Sequence, residues 1–481
     1  MRVLLMTEIN KTLIFSGFLS FGTMYLSAIL KKAGHQCDVT SVDYDEAERV
    51  FREFSPDIVA YSAFTGLHLP MVEINRRLKK KFDFFSMFGG PHPTFSPELI
   101  EEEKEIDAIC RGEGFEAVPN LVDKLQKGED ITRTPNWWIR KDGKIYKNPV
   151  AHQVRSLDEL PFPDRSIFDK YPSYRKTKSF SFMSAFGCPY NCTYCFNHQL
   201  HKMLAKGDSI IRRRSVDNVI EEIKQVRAKY PLEYVLFRDE IFTLNKNWVK
   251  EFSEKYSREI GLPFYCVLRA NHVTEEIIDD LKRAGLYNVT FAVEAGNDFI
   301  RNKVLKRNMS KEAILKAARI LHERKVPFFT YNMIGSPGET FEMALETWDL
   351  NVKCRSTGTW AYLVYPYPKT ELYDYAVSNG YLDEEKAKEF LSTYHDKSIL
   401  NLKDKREIEN FHKLFSIAVE FPFLIHIIKF MVRLPLHNFY NVIRKLWRGY
   451  TSYVKVYPRS ARQSFTELIS GAVDVVLKSK A

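Results

Sequence analysis

The chain has 481 residues, of which 45% are hydrophobic and 27% are charged. This length predicts two or three domains, and this composition excludes a globally disordered chain. The formal net charge of +10 is concentrated in residues 421–481, where ten Lys and Arg accompany two acids. We therefore expect no nucleic-acid binding by the bulk of the chain. The sequence starts without the layout of a signal peptide and contains no apolar run of the ~18 residues that span a membrane, which predicts a cytoplasmic protein.

Residues 1–130 alternate short apolar runs with helical patterns. The predicted strands are Arg2–Met6, Cys37–Val42, Ile58–Ser62, Phe84–Phe88 and Ala108–Cys110. The predicted helices between them include Gly22–Lys32, Met71–Lys80 and Phe115–Leu125. Strands that alternate with helices through short loops predict an α/β domain with a Rossmann-like, doubly wound parallel sheet. Ligands of such sheets lie at the carboxyl ends of the strands.

Residues 131–178 interrupt this rhythm. Trp137–Ile139 and Lys144–Tyr146 flank Asp142-Gly143, a residue pair typical of a β-hairpin turn. A segment rich in proline and acid follows at 157–165. We predict a hairpin and a linker between two domains.

Residues 179–367 return to alternating strands and helices, with longer units. The predicted strands are Ser179–Ala185, Tyr234–Arg238, Phe264–Leu268, Val289–Val293, Phe328–Met333 and Trp360–Tyr365. The helices between them include Val216–Lys229, with Ser215 as its N-cap, and Lys311–Arg324. Six strands in series with right-handed crossovers predict a partial, open (β/α)6 barrel.

The last hundred residues are predicted to be helical. Phe421–Leu436 is strongly apolar, although polar residues and Pro435 interrupt it. We expect this segment to form a helix that covers the core. The alternative is an amphipathic helix at a membrane interface, assisted by the neighbouring residues Arg444, Lys445, Trp447 and Arg448.

Three of the seven cysteines lie within eight residues, in the sequence FGCPYNCTYCFNH, residues 186–198. An odd and clustered set argues against a disulfide framework and for a metal site in a reducing compartment. The thiolates of Cys188, Cys192 and Cys195 can bind three irons of a [4Fe–4S] cluster and leave the fourth iron without a protein ligand. The alternatives are a Cys3His zinc site completed by His198 and three buried cysteines without a ligand.

This cysteine loop resembles the cluster loop of the radical S-adenosylmethionine (SAM) superfamily. The resemblance implies that Cys188, Cys192 and Cys195 hold a [4Fe–4S] cluster, with Tyr194 against it, and that the open iron binds SAM. One electron from the cluster would then yield methionine and a 5′-deoxyadenosyl radical that abstracts hydrogen from the substrate.

Other barrel segments resemble the SAM-binding motifs of the same superfamily. The resemblance implies that Asp239 and Glu240, which end the second strand, contact the SAM amino group, and that Glu294 contacts the ribose. It also places Gly335, which opens the GSPGET turn, near the adenine. Arg269, after the third strand, is a candidate partner of the SAM carboxylate. For the charged residues the alternative is an ordinary ion pair or a solvated side chain.

The segment YPYPKT, residues 365–370, resembles the motif that closes such barrels. Lys369 stands where relatives carry glycine, which leaves a different local turn as an alternative.

The first domain resembles the cobalamin-binding domains that are fused to radical SAM barrels, through residues 22–39, 57–65, 88–94 and 111–114. The resemblance implies cofactor contacts by Ser62, Thr65, Gly89, Gly90, His92, Thr94, Gly112 and Glu113. The two adjacent glycines permit close backbone approach, and the hydroxyl groups suit the nucleotide tail. Residues 7–21 contain no His, so either cobalt lacks a protein imidazole or the domain has lost its cofactor. For His92 the alternative is a loop-capping or exposed side chain.

We therefore predict a cobalamin-binding domain at 1–135, a hairpin and linker at 136–175, a radical SAM barrel at 176–385 and a basic helical region at 386–481. The predicted reaction is cobalamin-dependent methyl transfer to an unactivated centre of a small-molecule or lipid-like biosynthetic intermediate. The predicted partners are a reductant such as flavodoxin or ferredoxin and, through the C-terminal region, a peripheral membrane contact.

Two other functions stay open. They are a cyclase or rearrangement enzyme without methyl transfer and a non-catalytic corrin or iron–sulfur sensor. A transfer-RNA methylthiotransferase is disfavoured because residues 1–130 contain only Cys37 and Cys110, not a second cysteine trio.

Overall fold

The computed structural model describes residues 1–9, 20–204, 206–388 and 396–462. The chain divides into two compact units. The first comprises Met1–Lys176 and Gln199–Arg213, and the second comprises Thr177–His198 and the residues from Arg214 onward.

The first unit is built on a seven-stranded sheet in the order β2-β1-β3-β4-β5-β6-β7. Its strands are β1 (Arg2–Met6), β2 (Gln36–Thr40), β3 (Ile58–Ser62), β4 (Phe85–Gly89), β5 (Ala108–Cys110), β6 (Trp137–Lys141) and β7 (Lys144–Lys147). The five strands β1 to β5 are parallel, as the sequence predicts. The order reverses at β1, which places the switch point of the sheet between β1 and β3.

Helices join these strands. They are α1 (Phe21–Lys32), α2 (Tyr44–Phe54), α3 (His68–Lys79), α4 (Pro91–Phe95), α5 (Leu99–Glu102), α6 (Gly114–Lys127) and α7 (Pro172–Arg175). The helix α2, which the sequence analysis did not single out, begins at the N-cap Asp43, whose side chain accepts from the Glu46 amide.

The predicted hairpin forms, but it does more than connect domains. β6 and β7 pair antiparallel with each other, and β6 pairs antiparallel with β5, so the hairpin extends the sheet. The Trp137 indole is buried and donates from Nε1 to the Ala117 carbonyl at 2.9 Å. The two apolar indoles at 137 and 138 explain this placement, because a linker in solvent would expose them.

The second unit contains six parallel strands in the order β15-β14-β13-β12-β11-β8. They are β8 (Ser179–Phe182), β11 (Tyr234–Phe237), β12 (Phe264–Leu268), β13 (Leu286–Glu294), β14 (Phe328–Ile334) and β15 (Gly358–Leu363). This consecutive order confirms the predicted partial barrel, whose strands are joined by crossover helices. Two-residue strands also occur, namely β9 (Ala185–Phe186) in this unit and β10 (Arg212–Arg213) in the first.

The helices of the second half of the chain follow the predicted pattern. They are α8 (Phe196–Met203), α9 (Val216–Lys229), α10 (Lys246–Glu259), α11 (Glu275–Arg283), α12 (Lys311–Glu323), α13 (Phe341–Cys354), α14 (Glu371–Ser378), α15 (Glu384–Lys388) and α16 (Lys405–Glu420). The side chain of Ser215 accepts from the Asn218 amide, which confirms it as the N-cap of α9.

The predicted single helix over Phe421–Leu436 is wrong. A 3-10 turn at Pro422–Leu424 leads into the short helix α17 (Ile425–Met431), and helix α18 (His437–Thr451) begins only after Pro435. Proline lacks an amide donor and disfavours a helical residue before it, which explains both breaks. Ile425 and Ile428 are buried, as a core-covering helix requires, but Phe423 and Phe430 are exposed.

Residues beyond α18 close the amino ends of the barrel strands. The Val456 carbonyl accepts from Asn288 Nδ2 at 2.8 Å and from the Tyr234 hydroxyl at 3.4 Å. Lys178 Nζ donates to the Ser460 carbonyl at 3.1 Å, next to the start of β8. Residues 452–462 therefore form a floor to the barrel, opposite the carboxyl ends of its strands.

Candidate functional site

The cysteine loop occupies residues 187–195, between β9 and α8, at the carboxyl end of the first barrel strand. Gly187 opens the loop with a φ of +95°, a conformation that favours glycine. The Cys195 amide donates to the Cys192 carbonyl at 3.1 Å, so these two cysteines lie on one tight turn. Cys192 is buried, whereas Cys188 and Cys195 are partly exposed.

Thr193 fixes the loop to the rest of the barrel. Its hydroxyl donates to the Val304 carbonyl at 2.7 Å and its amide to the Leu305 carbonyl at 3.2 Å. Its own carbonyl accepts from the Leu372 amide at 3.0 Å. Because these contacts satisfy the polar groups of Thr193, they fix the backbone next to Cys192.

Two buried arginines lie beside Cys192. Arg307 Nη1 is 3.8 Å from the Cys192 sulfur, and Nη2 donates to the Ala292 carbonyl at 3.2 Å. Arg307 stands between Lys306 and Asn308, which both have left-handed backbone conformations with φ near +50°. The sequence analysis missed Arg307, because only this irregular loop brings it to the cysteines.

Arg269 is the second of these arginines and was predicted to bind SAM. Its guanidinium lies 3.7 Å from the centre of the Tyr190 ring, and Nη2 donates to the Arg307 carbonyl. Its Nε and Nη1 are buried without a hydrogen-bonding partner among the described residues. A buried guanidinium with unsatisfied donors fits an anionic ligand, so Arg269 suits a carboxylate at this place.

The two acids at the end of β11 differ in their surroundings. The Asp239 carboxylate accepts from the Ser184 hydroxyl at 2.6 Å and from the Ser184 amide at 3.1 Å, so it holds the chain between β8 and β9. Glu240 Oε2 is buried without a partner among the described residues. Burial raises the pKa of Glu240. Burial is also the main cause of the raised pKa of the Cys188 and Cys195 thiols, and the Glu240 charge adds to it. Glu240 therefore stands next to the cysteine loop with an oxygen available to a ligand.

Tyr194 and Glu294 are brought into direct contact. The Tyr194 hydroxyl donates to Glu294 Oε1 at 2.8 Å, and burial together with this carboxylate raises the pKa of Tyr194. Glu294 ends β13 with a φ of +64°, where the register with β14 shifts. A non-glycine residue held in this region costs about 1–3 kcal/mol and is typical of functional sites.

A buried arginine stabilises the loop after Glu294. Arg301 is fully buried and donates to the carbonyls of Met309, Ala295 and Gly296 at 2.7, 2.9 and 2.9 Å. A Cβ on Gly296 would stand 2.1 Å from the Glu346 carbonyl oxygen, so only glycine fits there. These contacts fix the backbone that leads from Glu294 to Arg307.

Gly335 forms a tight turn with Glu339. The amides of Gly335 and Ser336 donate to Glu339 Oε2 at 2.7 and 2.8 Å. Gly335 has a φ of +80°, and a Cβ there would stand 3.2 Å from Ile408. Ile408 belongs to helix α16 (Lys405–Glu420), so this helix packs directly on the turn.

Lys369 has a left-handed backbone conformation. Its φ is +69°, in a region that favours glycine and strains a residue with a side chain.

The zinc alternative lacks the required geometry. Among the residues that the structure describes, no three His, Cys, Asp or Glu side chains converge as ligands of a single metal ion. His198 Nε2 lies 3.6 Å from Glu371 Oε1. Three free cysteines in one loop are a donor set that suits a [4Fe–4S] cluster with one open iron.

In the first unit, a cavity of about 210 Å³ lies at the carboxyl ends of β1, β3, β4 and β5. It is lined by five of the residues predicted to bind cobalamin, namely Ser62, Gly89, Gly90, Gly112 and Glu113, and also by Trp137 of the hairpin. The other lining residues are mainly apolar, which suits a flat aromatic ring with a polar edge.

Gly90 makes the cradle of this cavity possible. Its φ is +97°, and a Cβ there would stand 2.9 Å from the Ala63 carbonyl oxygen. The Thr94 hydroxyl donates to the Gly90 carbonyl at 2.8 Å and accepts from the Gly112 amide at 3.2 Å. Thr94 therefore ties two of the lining loops together.

His92 is buried rather than exposed. Its ring stacks on His68 with 3.6 Å between the ring centres, and Nδ1 lies 3.2 Å from the Thr65 hydroxyl. Burial and the neighbouring His68 lower the pKa of His92 to about 3. The imidazole is therefore neutral at physiological pH.

The Glu113 carboxylate is paired within its own unit. Both oxygens accept from Arg212 Nη1, at 2.8 and 2.7 Å. Burial is the main cause that raises the pKa of Glu113, although the Arg212 charge opposes it. Residues 10–19, which include most of the predicted loop without His, lie outside the described residues.

Comparison with known proteins identifies two domains in the chain. Residues 183–350 match the family model of the radical SAM superfamily, and residues 18–122 match that of the B12 binding domain. The chain therefore carries a B12 binding domain followed by a radical SAM domain, the composition of cobalamin-binding radical SAM enzymes. It is thus an enzyme, and the cofactors of this family are a [4Fe–4S] cluster, SAM and cobalamin.

Two relatives are named methyltransferases. The chain is 28% identical over 378 residues to "Uncharacterized methyltransferase PH0819" of Pyrococcus horikoshii, which covers 75% of this chain and 79% of that protein. It is 22% identical over 430 residues to "Cytidylyl-2-hydroxyethylphosphonate methyltransferase" of Streptomyces wedmorensis, with 76% and 79% covered.

A solved structure of the family has the same fold. The cobalamin-dependent SAM radical enzyme OxsB, with aqua-cobalamin and SAM bound, superposes with a TM-score of 0.67 at 15% identity. The match covers 99% of this chain and 75% of that one. In the described part of this radical SAM protein, no helix combines the length and the apolar character that crossing a membrane requires.

Proposed function

We propose that this enzyme transfers a methyl group to an unactivated centre of a small-molecule or lipid-like intermediate. The observation that carries the proposal is that one chain holds both a three-cysteine loop with unsatisfied ligand-binding groups and an apolar cavity at the switch point of a Rossmann-like sheet. The names of the two relatives support methyl transfer.

The cysteine loop would hold the cluster, and the groups around it would bind SAM. Cys188, Cys192 and Cys195 supply three thiolates and leave one iron open. Arg269 offers two unsatisfied donors to the SAM carboxylate, and Glu240 offers an unsatisfied oxygen to the SAM amino group. When bound, the cluster and SAM supply a 5′-deoxyadenosyl radical, and cobalamin carries the methyl group.

Tyr194 and Glu294 would orient the nucleoside. The Tyr194 hydroxyl occupies Glu294 Oε1 and leaves Oε2 for a ribose hydroxyl. The Gly335 turn follows β14, which pairs with β13, so it would lie on the same side of the barrel as Glu294 and near the base. Asp239 would act as a positioning residue, because its carboxylate already holds Ser184.

The cavity at the carboxyl ends of β1, β3, β4 and β5 would hold the nucleotide tail of cobalamin. Gly89 and Gly90 let the tail approach the backbone, and Ser62 offers a hydroxyl. Thr94, Thr65 and His92 would keep the surrounding loops in place. The chemistry also needs a one-electron reductant of flavodoxin or ferredoxin type, and so a reducing, cytoplasmic compartment.

Anaerobic reconstitution with iron, sulfide and hydroxocobalamin, followed by reduction with SAM, tests the proposal. We expect about four irons per chain, bound corrin, and both 5′-deoxyadenosine and S-adenosylhomocysteine among the products. Cys192→Ala should lose the iron and 5′-deoxyadenosine but keep the corrin.

Cys354→Ala is the matched control, because Cys354 is also buried but lies at the end of α13. It should behave like the wild type. Production of 5′-deoxyadenosine without S-adenosylhomocysteine would contradict methyl transfer and favour a cyclisation or rearrangement. Bound zinc instead of iron would contradict the whole assignment.

A further inference from the structure

Most of the exposed large hydrophobic side chains of the described chain are concentrated in one short stretch. Eight of thirteen lie between residues 423 and 450, namely Phe423, Ile427, Phe430, Leu436, Phe439, Val442, Leu446 and Tyr450. We call this set the C-terminal apolar face. Phe423 is 75% exposed and Leu446 58%, values that are unusual for a surface without a partner.

The exposed residues of α18 form a stripe along one side of the helix. Phe439, Val442, Leu446 and Tyr450 follow at steps of three or four residues, which place them on one helical face. Tyr440 and Thr451 of the same helix are buried against the second unit. The helix therefore packs on the rest of the unit through other positions, and the described residues leave the apolar stripe uncovered.

Ring contacts connect the stripe to the segment before α17. Phe421 lies 5.8 Å from Trp447 and 6.2 Å from Phe423 between ring centres, and Trp447 lies 5.5 Å from Tyr450. The exposed residues near 423 and near 450 thus belong to one continuous surface. Trp and Tyr are enriched where proteins meet the headgroup level of a bilayer.

The charge of this surface has one sign. Residues 421–462 contain eight Lys and Arg and no Asp or Glu. Two of these cations are neutralised by acids from outside the stretch, since Arg444 pairs with Asp396 and Lys455 with Glu420. Lys429, Arg433 and Lys445 form no ion pair with the described residues. Unneutralised cations around an apolar face complement an anionic surface.

We propose that the C-terminal apolar face is a docking surface for an anionic lipid bilayer, in whose interface α17 and α18 lie. A second copy of the chain would bring the same cations against each other, because a two-fold interface matches a patch with itself. A bilayer with anionic headgroups removes the apolar side chains from water and attracts the cations together. This inference does not depend on the methyl-transfer proposal.

Sedimentation of the full chain with extruded vesicles tests it. We expect binding to vesicles of phosphatidylcholine with phosphatidylglycerol, weaker binding to pure phosphatidylcholine, and release at high salt. Leu446→Ser and Phe430→Ser should each weaken binding by roughly tenfold, because each removes a side chain whose burial favours the bound state. Lys445→Glu should lower binding to the anionic vesicles and leave binding to the neutral ones unchanged.

Phe299→Ser is the matched control, since Phe299 is 51% exposed in the same unit but outside this face. It should bind vesicles like the wild type. A loss as large as that of Leu446→Ser would overturn the proposal, and so would the absence of vesicle binding by the full chain. Analytical ultracentrifugation adds one more decisive outcome. A dimer that Leu446→Ser dissociates, without vesicle binding, would assign the face to a second copy.

Discussion

Glu339 makes the stability of the barrel depend on pH. Its side chain is 1% exposed, and burial raises its pKa from 4.5 to about 7 although the amides of Gly335 and Ser336 donate to Oε2. The other oxygen, Oε1, is buried without a partner among the described residues. The folded protein therefore favours the protonated carboxyl, and the unfolded chain does not.

The sign and size of the effect follow from this difference. Between pH 4.5 and 7 the folded state holds a proton that the unfolded state has released, so stability falls as pH rises through this range. Each unit of pKa difference corresponds to about 1.4 kcal/mol, so the loss reaches about 3 kcal/mol at pH 8. Below the unfolded pKa the stabilisation is fully present.

Glu339→Gln isolates this contribution. The amide has the shape of the protonated acid, and its carbonyl oxygen can accept from the same two backbone amides. Urea unfolding of both proteins at pH 5 and pH 8 should give similar free energies at pH 5 and a more stable variant at pH 8. Other titrating groups act equally in both proteins and cancel. A difference between the two proteins that does not change with pH would refute the reasoning.

Three further substitutions test other strained or charged positions. Gly90→Ala should lower the unfolding free energy by about 1–3 kcal/mol, because its Cβ would stand 2.9 Å from the Ala63 carbonyl oxygen. It should also reduce the corrin absorbance after reconstitution. If the variant retains as much corrin as the wild type, Gly90 does not shape the binding cavity. Lys369→Gly should raise the melting temperature, because it removes a left-handed non-glycine residue whose conformation costs about 1–2 kcal/mol. A lower melting temperature would contradict this. Arg307→Met removes the cation 3.8 Å from the Cys192 sulfur, so the reduction potential of the cluster should fall in an EPR-monitored titration, and an unchanged potential would show that Arg307 does not tune it.

The order of strands and helices could be predicted from the sequence because its signals are local. Each barrel strand is a short apolar run, and Ser215 caps α9 through a contact only three residues away. Short motifs are local signals too. They predicted that the cysteines, Glu294 and Gly335 lie at the ends of barrel strands, and the structure has them there.

What could not be predicted depends on contacts between distant residues. Arg307 approaches Cys192 across 115 positions, and no sequence pattern around this buried residue distinguishes it from an ordinary surface arginine. The hairpin at Trp137 gave a clear turn signal, but nothing local shows that it pairs with β5. Pro435 indicates the break after Met431, but the prediction of a single helix followed the apolar composition of the segment instead.

The floor of the barrel links the order of synthesis to the order of folding. Tyr234 and Val456 are 222 positions apart, and Lys178 and Ser460 are 282 apart. A ribosome has therefore translated almost the whole chain before the amino ends of β8 and β11 find these partners. Until then the amino ends of these strands lack the contacts that cover Tyr234, and such long-range contacts form late in folding. The first unit, whose sheet uses only residues 2–147, is free of this delay.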